Sequence, residues 1–236
     1  MRNFILASTS TIHGSEYLSY LSEEIQSLFE NIDEIIFIPY ARPSGVTHDE
    51  YTETVQKFFH TISIKVKGLH NFENPENAIL NAQGIFTGGG NTFLLVKQLH
   101  DLNLMKTLKN KIEKGTPYLG TSAGSNIGGV NMKTTNDMPI VYPKSFETMG
   151  IIPFNLNPHY LDPDLNSTHK GETRETRILE FLSQNDLTVI GLREGNWIRA
   201  KGNTLSVEGK EDTRIFQKDK TPFEIKPGSN LNDLLS

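Results

Sequence analysis

The chain has 236 residues, of which 36% are hydrophobic and 22% are charged, a composition typical of a protein with a buried core rather than a disordered one. Its formal net charge of −5 at pH 7 argues against nucleic acid and anionic membranes as partners, because both favour a basic surface. Since the sequence contains no cysteine, disulfides, zinc–thiolate sites and cysteine nucleophiles are excluded.

The first half of the chain alternates short apolar runs with segments that place apolar residues at helical spacing. Buried strands are predicted at 4–7, 34–39, 62–66, 82–87 and 117–121. Helices are predicted at 15–29, 49–60, 92–100 and 104–114. Ser15 is the expected N-cap of the first helix, and Gly115 is expected to end the last one. No apolar run reaches the length of a secretory core or a membrane span, so we expect a cytoplasmic protein without a membrane partner.

The second half of the chain is less regular. Residues 132–171 have no clear periodicity, and irregular stretches of this length are usually functional or poorly ordered. A helix is predicted at 172–182 and a strand at 187–192, and the short alternating segments after Trp197 predict a small β-rich C-terminal section. The alternation of strands and helices predicts one domain, 1–236, built on a doubly wound, mostly parallel α/β sheet of the flavodoxin type. Its chemistry would lie beyond the carboxyl ends of the strands.

Residues 120–124 read Gly-Thr-Ser-Ala-Gly and fit the G-x-S-x-G pattern of a nucleophile elbow. Such an elbow is a sharp strand-to-helix turn that holds its serine in a strained backbone state, and the flanking glycines leave room for it. Ser122 would then lie at a helix N-terminus, where backbone N–H groups stabilise developing negative charge. The same residues also fit a tightly packed glycine-rich turn with Ser122 as an N-cap, and the local pattern does not separate the two.

A second glycine-rich turn, Thr-Gly-Gly-Gly-Asn at 87–91, follows a predicted strand and opens a helix. Its glycines allow backbone N–H groups to approach a ligand closely. The turn fits a phosphate cradle, although it does not match G-x-G-x-x-G and no Walker lysine follows. It also fits an oxyanion hole shared with the N–H of Ala123, or a simple turn in which Asn91 caps the helix.

A serine nucleophile needs a general base and an acid that orients the base. His159 is the candidate base because it lies in the irregular stretch downstream of Ser122, and His169 is its local rival. Glu194 is one candidate acid, since it follows a predicted strand at the place where α/β sheets carry their chemistry. Asp137 is the other candidate, and it could instead hold its own loop together through local hydrogen bonds.

Six short motifs are spread over residues 88–197 of the chain. They are Gly-Gly-Gly-Asn-Thr-Phe at 88–93, Ser-Ala-Gly at 122–124, Thr-Thr-Asn-Asp-Met-Pro-Ile at 134–140, Asn-Pro-His at 157–159, His-Lys-Gly-Glu-Thr-Arg at 169–174 and Gly-Asn-Trp at 195–197. In this order they resemble the motifs of the aspartyl dipeptidase (peptidase E) family of serine peptidases. The resemblance implies a glutamine-amidotransferase-like α/β fold in which a serine replaces the usual cysteine. It also implies hydrolysis of dipeptides that have an N-terminal aspartate.

The resemblance also implies roles for the reacting groups. Ser122 matches the family's nucleophile, and His159 matches its general base. The backbone N–H groups of Gly90 and Ala123 match its oxyanion hole.

Two positions, Asp137 and Glu194, match the acid of the family, whose descriptions differ on which carboxylate contacts the histidine. We favour Glu194 because it ends a rigid strand, and we keep Asp137 as a catalytic-site residue that could shape the pocket. The chain departs from the family pattern at Arg193, where proline is more common, and at Thr121, where a bulky aromatic residue can precede the nucleophile.

Arg174 matches the family's arginine for the aspartate side chain of the substrate. A planar guanidinium binds a carboxylate through two parallel hydrogen bonds, which a lysine cannot reproduce. Arg177, one helical turn further on, is its rival for this role, and either residue could simply lie on a solvated helix face. Asn91 is taken as a second substrate-binding residue.

The sequence gives no sign of a metal or an organic cofactor, and the expected partner is a small Asp-X peptide. We expect a monomer or a small homo-oligomer. Two other functions are compatible with the same residues: a cyanophycinase-like hydrolase of other aspartyl or isoaspartyl peptides, and a catalytically silent binding module of the same fold. Ordinary glutamine amidotransferase chemistry is excluded because it needs a cysteine.

Overall fold

A seven-stranded sheet lies at the centre of the computed structural model, which describes residues 2–163 and 171–234. The strands of this part of the chain are β1 (Arg2–Ala7), β2 (Glu34–Ile38), β3 (Lys65–Gly68), β4 (Gly84–Thr87), β5 (Tyr118–Thr121), β6 (Asn155–Pro158), β7 (Val189–Leu192), β8 (Trp197–Gly202), β9 (Thr204–Glu208), β10 (Thr213–Phe216) and β11 (Phe223–Ile225). The central sheet has the order β3-β2-β4-β5-β1-β8-β9. Its first five strands are parallel, whereas β8 and β9 are added antiparallel beside β1. The predicted mostly parallel α/β sheet is confirmed.

Helices cover both faces of the central sheet. They are α1 (Ser22–Leu28), α2 (His48–Thr61), α3 (Pro75–Asn81), α4 (Thr92–Asp101), α5 (Met105–Glu113), α6 (Ala123–Asn126) and α7 (Arg174–Gln184), with 3₁₀ turns at Ser19–Leu21, Leu69–Asn71 and Leu231–Leu234. Alternate side chains of β1 enter different cores: Phe4 and Leu6 pack with α3, α4 and α5, and Ile5 packs with α1 and α2. This two-sided burial is the doubly wound arrangement. In residues 2–163 and 171–234, no helix is both long and apolar enough to span a membrane.

A second, four-stranded sheet has the order β11-β10-β7-β6. Its strand β6 lies inside the stretch that shows no periodicity in the sequence. Strands β6 and β7 are parallel and pair Pro158 with Leu192, so the residues that follow these two strands emerge side by side. The predicted β-rich C-terminal section is present, but it is divided: β8 and β9 extend the central sheet, and β10 and β11 belong to the second sheet.

Two predicted helix starts differ from the structure. The hydroxyl of Ser15 does not cap a helix, because it closes a local turn with the backbone N–H and carbonyl of Ile12, at 3.2 and 2.8 Å. Helix α1 begins only at Ser22. Helix α7 begins at Arg174 because the side chain of Thr173 accepts a hydrogen bond from a backbone N–H of the first turn.

Candidate active site

Ser122 occupies a sharp turn between β5 and α6, as the G-x-S-x-G pattern predicts. Its backbone has φ 53° and ψ −111°, a conformation that a residue with a side chain rarely adopts. The flanking glycines are sterically required. A Cβ on Gly124 would lie 2.1 Å from the carbonyl oxygen of Thr87, and a Cβ on Gly120 would lie 2.5 Å from the carbonyl oxygen of Gly124. Only glycine at positions 120 and 124 leaves room for this turn, so the strained backbone conformation of Ser122 requires both glycines.

Hydrogen bonds to buried backbone groups hold this strained turn in place. The N–H of Ser122 donates to the carbonyl of Ala7, at the end of β1, over 3.1 Å. The buried hydroxyl of Ser125 donates toward the same oxygen at 2.6 Å. The hydroxyl of Tyr118 donates to the carbonyl of Gly124 over 2.8 Å. The position of Ser122 is thus set by β1, β5 and α6 together.

His159 and Glu194 complete a hydrogen-bonded chain with Ser122. Nε2 of His159 lies 3.0 Å from Oγ of Ser122, and Nδ1 lies 2.7 Å from Oε1 of Glu194. A carboxylate can only accept, so the ring hydrogen belongs on Nδ1 and Nε2 accepts from the serine hydroxyl. This is the tautomer that a general base needs. His169, the rival base in the sequence, lies outside the described residues.

The parallel pairing of β6 and β7 brings the histidine and the glutamate together. His159 directly follows Pro158, the last residue of β6, and Glu194 comes two residues after Leu192, the last residue of β7. The pair is partly open to solvent, because the side chain of His159 is 36% exposed and that of Glu194 is 47% exposed. Solvent therefore screens the charge of the glutamate to some extent.

Asp137, the other predicted acid, lies at the start of α4. Its Oδ2 accepts hydrogen bonds from the N–H of Thr92 at 2.7 Å and from the hydroxyl of Thr135 at 3.0 Å. A carboxylate at a helix N-terminus interacts favourably with the helix dipole. Of the two acids that the sequence proposes, Glu194 is the one that lies at the His159 ring, and Asp137 lines the neighbouring cavity.

The glycine-rich turn at 88–90 passes directly beside Ser122. A Cβ on Gly89 would lie 3.0 Å from the Cβ of Ser122. Gly90 has φ 142°, and a Cβ there would lie 2.2 Å from the carbonyl oxygen of Ala41, so only glycine fits. Among the described residues, neither the N–H of Gly90 nor that of Ala123 donates to a protein acceptor. Both N–H groups therefore remain available to an oxyanion.

Both the oxygen and the nitrogen of the Asn91 side-chain amide form hydrogen bonds within the protein. Its oxygen accepts from the N–H of Leu94 at 3.1 Å, which caps α4 as predicted. Its nitrogen donates to the carbonyl of Met138 at 2.9 Å. The side chain of Asn91 thus joins α4 to the loop that contains Asp137.

A cavity of about 210 Å³ opens beside the serine. Its lining includes Ser122, Ala123, Asn126, Asp137, His159 and Arg174. Asn126 is not among the residues that the sequence singles out, and its Oδ1 is buried without a hydrogen-bond partner in the described part of the chain. The one signal for it in the sequence is its position one helical turn after Ser122. No group of three or more His, Asp or Glu side chains in residues 2–163 and 171–234 is arranged to hold a metal ion.

Arg174 brings a positive charge to this cavity. Burial lowers its pKa below the usual value, the nearby charge of Arg177 lowers it further, and the carboxylate of Asp137 acts in the opposite direction. The guanidinium nevertheless stays protonated at neutral pH. Arg177, the predicted rival, is 60% exposed and pairs with Glu172 over 3.5 Å. Arg174, and not Arg177, is therefore the arginine that faces the cavity.

Arg193, the departure from the family pattern, anchors the loop that carries Glu194. Its guanidinium binds the carboxylate of Asp162 at 2.9 and 2.7 Å and that of Glu224 at 2.9 Å to each oxygen. These hydrogen bonds hold the pKa of both carboxyl groups below the usual range. The loop between β7 and β8 is thereby fixed by ion pairs next to the candidate acid.

Comparisons with known proteins agree with this architecture. A model of the family described as Peptidase family S51 matches residues 4–208. Peptidase E of Streptomyces coelicolor is 43% identical over 233 residues, which cover 99% of this chain and 95% of that protein. A Drosophila melanogaster protein named "Probable alpha-aspartyl dipeptidase" is 41% identical over 237 residues, which cover 99% of this chain and 98% of that protein. The crystal structure of a peptidase from an acI-B1 Actinobacterium shares the fold, with a TM-score of 0.67 at 19% identity over 98% of this chain and 96% of that one.

Proposed function

This chain belongs to peptidase family S51, and we propose that it is a serine-dependent dipeptidase that releases the N-terminal aspartate of Asp-X dipeptides. One observation carries the proposal: Ser122 and His159, which are hydrogen-bonded to each other, line the same small cavity as the guanidinium of Arg174. The names of the Streptomyces and Drosophila relatives, "Peptidase E" and "Probable alpha-aspartyl dipeptidase", support the same activity.

In the proposed acylation step, Oγ of Ser122 attacks the carbonyl carbon of the substrate's aspartate residue. Its proton passes to Nε2 of His159, which lies 3.0 Å away. Glu194 holds the ring in the correct tautomer and stabilises the imidazolium that forms. The backbone N–H groups of Gly90 and Ala123 donate to the oxyanion of the tetrahedral intermediate.

Collapse of the intermediate breaks the scissile C–N bond. The imidazolium gives its proton to the leaving amine, which departs as the second amino acid, and an aspartyl ester remains on Ser122. In the second half of the reaction, His159 takes a proton from water as the water oxygen attacks the ester carbonyl. The ester C–O bond then breaks, aspartate leaves, and the imidazolium returns the proton to Oγ of Ser122.

Arg174 gives the proposed site its preference for aspartate. A guanidinium in a partly desolvated cavity is stabilised by a carboxylate that binds it in two parallel hydrogen bonds. A neutral asparagine side chain of similar size cannot supply that charge. The cavity of about 210 Å³ is smaller than the roughly 300–1,000 Å³ of drug-sized ligand sites, which favours a short peptide over a long one.

A comparison of rates on Asp-Leu, Asn-Leu, Glu-Leu and β-linked Asp-Leu tests the proposal. The α-linked Asp-Leu should have the highest kcat/KM, and the Ser122→Ala variant should be inactive on it while its melting temperature stays close to that of the wild type. Preference for the β-linked peptide would replace the proposal with an isoaspartyl hydrolase. Full activity of Ser122→Ala would remove Ser122 from the reaction.

A further inference from the structure

The hydroxyl of Ser8 lies at the junction of the two sheets and contacts both strands that lead to the base and the acid. Ser8 directly follows β1 and is fully buried. Its Oγ accepts a hydrogen bond from the N–H of His159 and donates one to the carbonyl of Leu192, each over 2.8 Å. Its own N–H donates to the carbonyl of Asn196 over 3.0 Å. Ser8 is thus bonded to the base and to the backbone on either side of Glu194.

The backbone of His159 needs this hydroxyl because the chain leaves the regular strand pairing at that residue. His159 has φ 54°, in the left-handed region that residues other than glycine seldom occupy. The N–H of the next residue, Tyr160, donates to the carbonyl of Leu192 over 3.1 Å. The N–H of His159 is directed to Ser8 instead. Without that acceptor, the N–H would lose its hydrogen-bond partner beside the fully buried Ser8, and the left-handed conformation would lose its support.

The residue before Ser8 holds the nucleophile. The carbonyl of Ala7 accepts a hydrogen bond from the N–H of Ser122 over 3.1 Å. Two consecutive residues therefore bind the elbow on the central sheet and the histidine on the second sheet. The 3.0 Å separation of Oγ of Ser122 from Nε2 of His159 spans this junction between the sheets.

We propose that Ser8 is a positioning residue for the general base. Its hydroxyl holds the backbone of His159 in the left-handed conformation that brings the imidazole within reach of both Ser122 and Glu194. Ser8 touches no reacting atom and exchanges no proton with the substrate, so it acts only through His159. This role rests on the proposed function of the serine, histidine and glutamate.

Removal of the hydroxyl should lower kcat and leave KM unchanged. A base displaced by about 1 Å can lose about 100-fold in rate, so we expect Ser8→Ala to lower kcat for Asp-Leu about 10- to 100-fold, with KM within about twofold of wild type. Ser8→Cys keeps the shape of the side chain but replaces the oxygen with a larger sulfur that is a weak acceptor, and kcat should fall about tenfold. Because Ser8→Cys leaves no cavity, it decides the question if Ser8→Ala does not fold.

Ser206→Ala is the matched control. Ser206 is also a buried serine, and its hydroxyl donates to Glu208 over 2.6 Å in β9, on the edge strand of the central sheet. Its loss should leave kcat unchanged. Wild-type kcat in a folded Ser8→Ala or Ser8→Cys protein would overturn the proposal. A loss confined to KM, or an equal loss of kcat in Ser206→Ala, would also overturn it.

The rate at which a fluorophosphonate labels Ser122 separates this proposal from the proposed substrate. Labelling needs the serine to be activated by His159 but needs no dipeptide. If the wild type is labelled at Ser122 but hydrolyses no Asp-X dipeptide, the proposed substrate is wrong, and slower labelling of Ser8→Ala still supports the positioning role. Equal labelling rates in the two proteins would overturn that role whatever the substrate is.

Discussion

A Glu194→Gln variant removes one negative charge beside His159 and keeps the length of the side chain. In the wild type, Oε1 of Glu194 lies 2.7 Å from Nδ1 of the ring, and the carboxylate keeps the ring hydrogen on that nitrogen. The glutamine amide can donate as well as accept. When it donates to Nδ1, the ring carries its hydrogen on Nε2 and cannot accept the proton of Ser122.

The solvent exposure of His159 and Glu194 sets the size of the expected loss of kcat. Two unit charges about 4 Å apart interact by about 1 kcal/mol in water and by about 4 kcal/mol at an effective dielectric constant of about 20. The side chains of His159 and Glu194 are 36% and 47% exposed, so their pair lies between these limits. We take about 2 kcal/mol as the stabilisation that the Glu194 carboxylate gives the imidazolium. Its loss corresponds to a fall in kcat of roughly 30-fold. A fully buried triad loses about 10⁴-fold on the equivalent change, and the exposed position of Glu194 predicts a smaller loss here.

The assay is steady-state hydrolysis of Asp-Leu, with kcat and KM determined separately for the wild type, Glu194→Gln and Asp137→Asn. Because Glu194 lies behind the ring, its replacement should leave KM within about twofold of wild type. Asp137→Asn keeps the bond between His159 and Glu194 and should retain more of kcat. Wild-type kcat in Glu194→Gln together with a large loss in Asp137→Asn would refute the reasoning and make Asp137 the orienting acid.

Three other substitutions test separate parts of the site and its support. Arg174→Ala should reduce the ratio of kcat/KM for Asp-Leu over Asn-Leu by about 10- to 100-fold, since a charge-assisted pair is lost; the control Arg177→Ala should not change the ratio, and an equal change in both variants would contradict the role of Arg174. Gly90→Ala places a Cβ 2.2 Å from a neighbouring carbonyl oxygen, and the displaced oxyanion donor should cost about 10²- to 10³-fold in kcat. Unchanged kcat would exclude the Gly90 N–H from catalysis. Arg193→Met should lower the free energy of unfolding by about 1–2 kcal/mol at neutral pH in urea titrations. Because Arg193 lowers the pKa of its two carboxylate partners, its contribution is complete above their usual pKa values of about 4 and is lost as the pH falls through the lowered values. The difference between variant and wild type should therefore shrink in acid, and a difference that does not change with pH would contradict this account.

The two glycine-rich turns at 87–91 and 120–124 could be predicted because the steric demand of each turn is local in the sequence. A Cβ on Gly90, Gly120 or Gly124 would lie 2.5 Å or less from a backbone carbonyl oxygen, so these three positions need glycine. The caps at Asn91 and the end of α5 at Gly115 follow the same local rules. The start of α1 does not, because Ser15 finds its hydrogen bonds in a turn before the helix.

Strand β6 could not be predicted because it is stabilised by contacts distant in sequence. Its sequence, Asn-Leu-Asn-Pro, has few strand-forming residues, and two of its four side chains are buried amides. Asn155 donates to Oδ1 of Asn131 over 2.8 Å, and Asn157 donates to the carbonyl of Thr134 over 2.8 Å. These partners lie more than twenty residues away and accept hydrogen bonds from amide nitrogens that would otherwise be costly to bury.

The sequence could not decide between the two candidate acids for the same reason. Both Asp137 and Glu194 occur in matching motifs, and no local pattern tells which one meets a histidine 22 or 35 residues away in the chain. The choice depends on the parallel pairing of β6 with β7, which places Pro158 opposite Leu192. Ser8 was missed as a positioning residue because its partners, His159 and Leu192, come together only when the two sheets pack.

The most direct test of the central claim is the stoichiometric modification of Ser122. The protein is treated with increasing amounts of a fluorophosphonate, the hydrolysis of Asp-Leu is measured at each step, and the modified peptide is mapped by mass spectrometry. We predict that one label per chain on Ser122 abolishes the activity, and that labelling is prevented by Ser122→Ala. Undiminished hydrolysis by a chain fully labelled at Ser122, or inactivation that tracks a label elsewhere, would contradict the account.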